Sequence, residues 1–321
     1  MDLFPEEVLL KIFEFHVKRS EDMDWNAWHL LIHVCRRWRN IVLSSPRRLN
    51  LRLLCTERTP VTEMLDIWPA FLPIVMRNGG EEPSDDDAWN VVSALEHPDR
   101  VCEIVFEDIL STSLKFFSTA MHGPFPVLTI LVLQVGYRWH SFFPDPFLDR
   151  SAPRLRSLDL DAIPFSAVHK LLLSASCLVD LSLWDLPRYV LPKELAPCLS
   201  SMAGLESMYL GFRYAEYLPH QERQHSYPLP RTVLPALTYL GLKAPRGYSE
   251  DLMARFDTPR LDKVTAHRSR STPDPSIIYR NHLGCAHFKL NSALPTNSRP
   301  MPDARTQVTP LQKCCVQIFI T

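Results

Sequence analysis

Seven short segments of one pattern punctuate the middle of the chain, and their spacing limits the fold more than any other feature. Val101-x-x-Ile104-x-Phe106, Leu128-x-x-Leu131-x-Leu133 and Leu155-x-x-Leu158-x-Leu160 follow one another at 27-residue intervals. Leu178-x-x-Leu181-x-Leu183 comes 23 residues later, Leu205-x-x-Met208-x-Leu210 after 27 and Leu237-x-x-Leu240-x-Leu242 after 32. Leu261-x-x-Val264-x-Ala266 is a weaker seventh copy. Pro98, Pro126, Pro153, Pro235 and Pro259 stand just before five of them. A motif this short cannot bury its apolar face alone. Copies at such a period gain stability only by stacking on their neighbours.

Composition agrees with a globular array. The 321 residues allow one large domain or two to three smaller ones. Apolar content of 46%, charged content of 22% and a net charge of −1 give no reason to expect nucleic acid or an anionic membrane. Prolines number 28, well above the usual ~5%, while glycines number only 9. No apolar run approaches the ~20 residues of a membrane helix, and no secretory signal opens the chain. The 8 cysteines lack Cys-x-x-Cys spacing and there is no Asn-x-Ser/Thr sequon. The inference is a reduced, intracellular protein, cytoplasmic and/or nuclear.

The recurring segment resembles an irregular leucine-rich repeat. In that arrangement the spaced apolar residues point inward from a short strand, and those between them face solvent on a concave side. Segments such as 165–176 have helix composition and would cover the convex side. The Asn or Cys that usually follows the motif and ties adjacent turns is missing from most copies, so the expectation is an irregular solenoid. A plain α/β sheet with Leu-rich strands satisfies the same spacing. The outward positions are Glu103, Val105 and Glu107; Ile130, Val132 and Gln134; Ser157, Asp159 and Asp161; Asp180, Ser182 and Trp184; Ser207, Tyr209 and Gly211; and Tyr239, Gly241 and Lys243. Trp184, Tyr209 and Tyr239, with Asp159, Asp161 and Asp180, are the candidate target-binding residues, since aromatic anchors dominate interfaces. The aromatic rings could equally pack against loops of their own chain.

At the start of the chain, Phe4-Pro5-Glu6-Glu7-Val8-Leu9-Leu10-Lys11-Ile12-Phe13 has the makings of an amphipathic helix. Pro5 and the two glutamates suit its first turn. From Trp28 to Pro46, Trp28, Leu31, Ile32, Cys35, Trp38 and Ile41 recur at helical spacing in one or two short helices. The two motifs in this order, the second carrying Val-Cys-Arg-Arg-Trp-Arg, resemble an F-box over roughly the first 50 residues. Lys18 to Asn26, polar and acidic, reads as a loop inserted between them.

The fold class implied is α/β: a small helical F-box module at 1–50, a connecting segment at 51–96 with an acidic loop at 78–87, and an irregular leucine-rich-repeat solenoid at 97–267. The segment 213–231 reads as a rim loop. A tail of little order follows at 268–321.

Signatures of catalysis are absent: no Gly-x-Ser-x-Gly, phosphate loop, His-Glu-x-x-His or kinase motif occurs. His29 and His33 are four apart on one helix but lie among apolar residues. Cys314-Cys315 reads as incidental to the tail, and the acidic loop lacks EF-hand spacing. No metal or cofactor is called for. The resemblance implies a non-catalytic substrate receptor of an SCF-type ubiquitin ligase, similar to F-box proteins numerous in fungi. Its F-box would dock a Skp-type adaptor, and through it a cullin and a RING ligase, while the repeats hold an unknown target protein. Carried over by position, the adaptor-binding residues are Phe4, Pro5, Val8, Leu9, Ile12 and Phe13, then Val34, Cys35, Trp38 and Ile41, of which some would contact the adaptor and some fill the module's own core. The alternatives are a leucine-rich scaffold without a ubiquitin role, and helices that merely cap the repeats.

Overall fold

The computed structural model describes residues 4–20, 27–78, 85–135, 148, 151–213, 231–244, 246–267 and 319–320. The chain divides into two units, Met1–Ser269 with Gln317–Thr321, and Arg270–Val316. The second unit, the rim loop beyond Arg213 and Cys314-Cys315 all lie outside the described residues.

Helix α1 (Glu6–Ser20) opens on Pro5, whose carbonyl accepts from the N–H groups of Val8 (3.1 Å) and Leu9 (3.2 Å). Glu6 and Glu7 in the first turn complement the dipole. The helix runs on through Lys18 to Ser20, which the sequence reading had assigned to a loop. Helices α2 (Ala27–Val34) and α3 (Arg36–Ser44) are two pieces, broken where Cys35 takes an extended conformation (φ −161°, ψ 169°).

Beyond them the strands are β1 (Leu53–Cys55), β2 (Ile74–Arg77), β3 (Val101–Ile109), β4 (Ile130–Val135), β5 (Ser157–Asp161), β6 (Asp180–Leu186), β7 (Ser207–Phe212), β8 (Thr232–Val233), β9 (Tyr239–Lys243), β10 (Phe256–Asp257), β11 (Lys263–His267) and β12 (Phe319–Ile320). Between them lie helices α4 (Val61–Ile67), α5 (Asp85–Leu95), α6 (Ser111–Ala120), α7 (Phe165–Ser174), α8 (Pro192–Ser200) and α9 (Arg246–Arg255). All strands except β8 and β10 form one parallel sheet in chain order; those two pair with each other. The protein is thus α/β, with a parallel sheet as its spine.

Register explains how copies at unequal spacing still fit together. Leu131, Leu158, Leu181, Met208 and Leu240 are successive partners across the sheet, and so are Leu133, Leu160, Leu183, Leu210 and Leu242. The variable length is taken up in the crossovers, and the strands keep phase. A backbone ladder at the strand entrances ties each turn to the last. The N–H of Thr129 donates to Cys102 O, Arg156 to Thr129 O, Val179 to Arg156 O, Glu206 to Val179 O and Thr238 to Glu206 O, each at 2.8 Å. The hydroxyls of Thr129 and Thr238 add bonds to the same carbonyls at 2.9 and 3.0 Å. Adjacent turns are therefore tied without the Asn or Cys that most copies lack.

The same ladder reaches further toward the N-terminus than the sequence pattern does. Leu53 N–H donates to Pro73 O and Ile74 N–H to Arg100 O, both at 2.8 Å. Residues 47–55, whose alternation reads as a short strand, supply β1 at their end, and the connecting segment 51–96 contributes β2 to the sheet as well. Strand β2 hid because Ile74, Val75 and Met76 are all buried, leaving no alternation to read. Asn78 prolongs β2 with its side chain: its amide group donates to Glu107 O and accepts from Glu107 N–H (2.8 Å). The acidic run also ends sooner than expected, because Asp85 begins α5.

Crossovers between parallel neighbours share one hand, so helices joining strands in chain order fall on one face. The leucines on that face are buried with Leu114, Phe117, Val168, Leu171, Leu172, Leu195 and Leu199 of the helices. The opposite face has no helix over it among the described residues.

Candidate functional site

Two surfaces carry the candidate residues. On the N-terminal helices, α1 is apolar on two sides at once. Leu9, Leu10, Phe13 and Val17 are buried, Phe13 completely, with its ring 4.8 Å from that of Trp38. Val8, Ile12 and Phe15 lie on the other side at 39%, 48% and 68% exposure. Phe4 ahead of α1, and Leu30 and Val34 on α2, are exposed as well. A helix in a self-sufficient fold shows one apolar stripe; here a second one is open to solvent.

The ten residues assigned from the first motif pair therefore divide. Phe4, Pro5, Val8, Ile12 and Val34 are exposed. Leu9, Phe13 and Ile41 are interior, and Cys35 and Trp38 sit between. Burial places Leu9 and Phe13 inside, against the assignment by position, and puts Ile41 among the second-motif residues that fill the module's own core. Their part is to hold the exposed stripe in place. Phe15 and Leu30 were missed, although Val8, Ile12 and Phe15 repeat at helical spacing. Reading α1 as ending at Phe13 cut the stripe short.

The helices are held to the sheet and to one another by specific bonds. Arg37 Nη2 donates to Phe4 O (2.7 Å), fixing the start of α1 against α3. Arg39 Nε donates to Ile32 O (3.1 Å), and Arg48 pairs with Glu14. Trp28, buried, donates its indole N–H to Arg52 O (3.0 Å) beside β1. His29 stacks on Trp68 at 4.7 Å, which gives it a packing role. Arg52 reaches across to pair with the buried Glu103. No group of His, Cys, Asp and Glu among the described residues is arranged to hold a metal ion.

The second surface is the uncovered face of the sheet. Asp161 and Trp184 are register partners on β5 and β6, and Asp159 and Ser182 form the row beside them. Trp184 stacks on Tyr209 with ring centroids 3.7 Å apart at 24°. Tyr209 in turn lies over Gly241 and Gly211, where a side chain on either glycine would meet its ring. Its own ring is thereby buried, 7% exposed, so Tyr209 supports Trp184 and is not itself an open anchor. Burial, with the negative charges of Asp185 and Asp161 nearby, pushes its hydroxyl far above the usual tyrosine range. Tyr239 shares a hydrogen bond with Thr265 (2.9 Å) and carries Lys263 over its ring at 5.5 Å. Asp180 is on the same face but in the row of Ser157 and Ser207, at the strand entrances.

The two central carboxyls are strongly perturbed. Burial, opposed by the Gln134 hydrogen bond and reinforced by Glu107, pushes Asp159 up to about 6. Burial and then Asp185 push Asp161 up to about 6 as well, against Arg213 and Lys243. Gln134 Nε2 donates to Asp159 Oδ2 (3.3 Å), and the Trp184 side chain also hydrogen-bonds this carboxyl. Lys243 is committed to Asp185 at 2.7 Å. The sheet face therefore offers an aromatic platform beside two carboxyls whose burial favours their neutral forms. The chain matches no known protein-family model and no curated protein.

Proposed function

We propose that the protein is the substrate-recognition subunit of an SCF-type ubiquitin ligase. Its N-terminal helices act as an F-box that docks a Skp-type adaptor, and the sheet acts as an irregular leucine-rich solenoid whose open face binds the target. The chain itself is not the catalyst; the adaptor brings a cullin and a RING ligase to the target. One observation carries the reading: Phe4, Val8, Ile12 and Val34, four residues that the F-box resemblance assigns to adaptor contact, are exposed, and Phe15 and Leu30 are exposed beside them. Apolar groups arrayed in this way stabilise a complex at ~25 cal/mol for each Å² removed from water. A phased parallel sheet with one uncovered face is the support for the second half of the reading.

The test is capture of a Skp-type adaptor from cells that express it. Val8→Asp with Ile12→Asp is expected to abolish capture while the protein stays folded, because both side chains point into solvent. Trp184→Ala is expected to leave capture unchanged. Unchanged capture by the double aspartate variant would make the helices a cap on the sheet and leave an interaction scaffold without a ubiquitin role.

A further inference from the structure

A sheet of stacked copies leaves backbone groups unpaired along its outermost strand, and such an edge can add another chain. On the side away from the N-terminal helices that strand is β11. All 5 of its residues pair with β9, from Lys263 with Tyr239 to His267 with Lys243. On its other edge, among the described residues, Thr265 and Ala266 alone have partners, Phe319 and Ile320 of β12.

The interior is unfinished at the same place. Ile104, Leu131, Leu158, Leu181, Met208 and Leu240 form one row across the sheet, each at most 1% exposed. Val264 continues the row as partner of Leu240, yet it is only half-buried. One more strand with an apolar residue at this position would complete the row.

Strand β12 has the direction and phase to supply it. It runs parallel to β11, with Ile320 beside Ala266 in the inward row of Leu210 and Leu242, and Phe319 beside Thr265 in the outward row. Strand alternation then makes Ile318 the residue that falls opposite Val264. Cys315-x-x-Ile318-x-Ile320 also has the apolar spacing of the seven copies. Gln317–Thr321 groups with Met1–Ser269, whereas Arg270–Val316 does not. Residues 268–318 are more than enough for the crossover of about a dozen residues that parallel strands require.

We propose that the outer edge of β11 is a strand-docking site, and that its occupant is the segment Ile318–Thr321 of the same chain, an eighth copy of the repeat. Ile318 completes the row that reaches Val264, and Ile320 the row that reaches Ala266. Docked there, the segment takes up backbone groups that would otherwise pair with a second copy of the chain. A short strand at an edge opens at less free energy than the sheet it joins, so it leaves and returns while the sheet stays folded. Cys285-x-x-Phe288-x-Leu290 has the same spacing and comes sooner after β11, which gives the test its control.

Hydrogen exchange in the full chain, read on the peptide Lys263–His267, follows the edge directly. Ile318→Asp/Ile320→Asp is expected to speed exchange there at least about tenfold, while β5 and β6 exchange as in the wild type. Phe288→Asp/Leu290→Asp should leave the β11 peptide unchanged, and light scattering should give the wild type the mass of one chain. The proposal is overturned if the isoleucine variant leaves β11 exchange unchanged, or if the Phe288/Leu290 variant speeds it equally. Faster exchange in β5 and β6 as well would overturn it by making the segment part of the cooperative core. A wild-type mass of two chains that the isoleucine variant halves would place the segment on a second copy, which also overturns it.

Discussion

The N-terminal helices and the open sheet face are both uncovered, yet they are uncovered in opposite ways. On α1 and α2 the exposed groups are Val8, Ile12, Phe15, Leu30 and Val34, which gain nothing from water. On the sheet the half-buried row alternates carboxyls, hydroxyls and a supported indole, polar groups that can exchange between water and a ligand. A surface of the first kind suits a standing partner, whereas one of the second kind can be vacated and refilled. The proposed role of substrate receptor would need that difference: permanent attachment at one end and exchange at the other.

The sharpest way to break the comparison is inside α1, where adjacent residues belong to different sides. Phe13→Ala is expected to destabilise the protein by about 3–5 kcal/mol, as for other buried aromatic truncations. Ile12→Ala should cost less than about 0.5 kcal/mol, typical of a surface change. Urea melts of the two variants check this, and equal losses would mean that Ile12 is interior too.

The sheet face should respond to pH where the helices do not. Asp159 and Asp161 have folded values of about 6 against an ordinary 3.8, so the folded state favours their neutral forms. Their contribution is fully present below about pH 4 and is lost as pH rises through about 6. At neutral pH each charge costs the fold on the order of 2 kcal/mol. The groups that set this balance are Glu107, Gln134, Trp184, Asp185, Arg213 and Lys243, with Asp159 itself acting on Asp161. The double variant Asp159→Asn/Asp161→Asn should be more stable than the wild type at pH 7, and the gap should close toward pH 4. A gap independent of pH would show that the two carboxyls are ordinary.

Support of the platform is the next largest effect. Gly241→Ala places a methyl against the Tyr209 ring and should cost about 1–3 kcal/mol, as overpacking does. The Trp184–Tyr209 stack should loosen with it, which near-ultraviolet circular dichroism reads. An unchanged spectrum would mean that the glycines do not seat the ring. Smallest is a relief of strain: Ala162 sits at φ 58° where the chain leaves β5. Ala162→Gly is expected to stabilise by up to about 1 kcal/mol, visible as a small rise in Tm.

The repeat was legible because Leu128, Leu155, Leu178, Leu205 and Leu237 each begin a copy, and the copies pair in that order. Outward and inward positions followed from strand alternation. What the sequence concealed was non-local. Tyr209 looks like Trp184 in the pattern, but two glycines on β7 and β9 let it sink beneath the indole. Gln134 is ordinary until register sets it beside Asp159. Buried β2 has no alternation, and the exposed stripe of α1 needed the true helix end at Ser20.

The central claim is that the apolar stripe on α1 and α2 is a docking surface. The most direct measurement is the mass, by light scattering after size exclusion, of the chain co-expressed with a Skp-type adaptor. A one-to-one complex that Val8→Asp/Ile12→Asp resolves into two free components is the expected result. A chain that elutes alone and folded beside free adaptor would contradict the account.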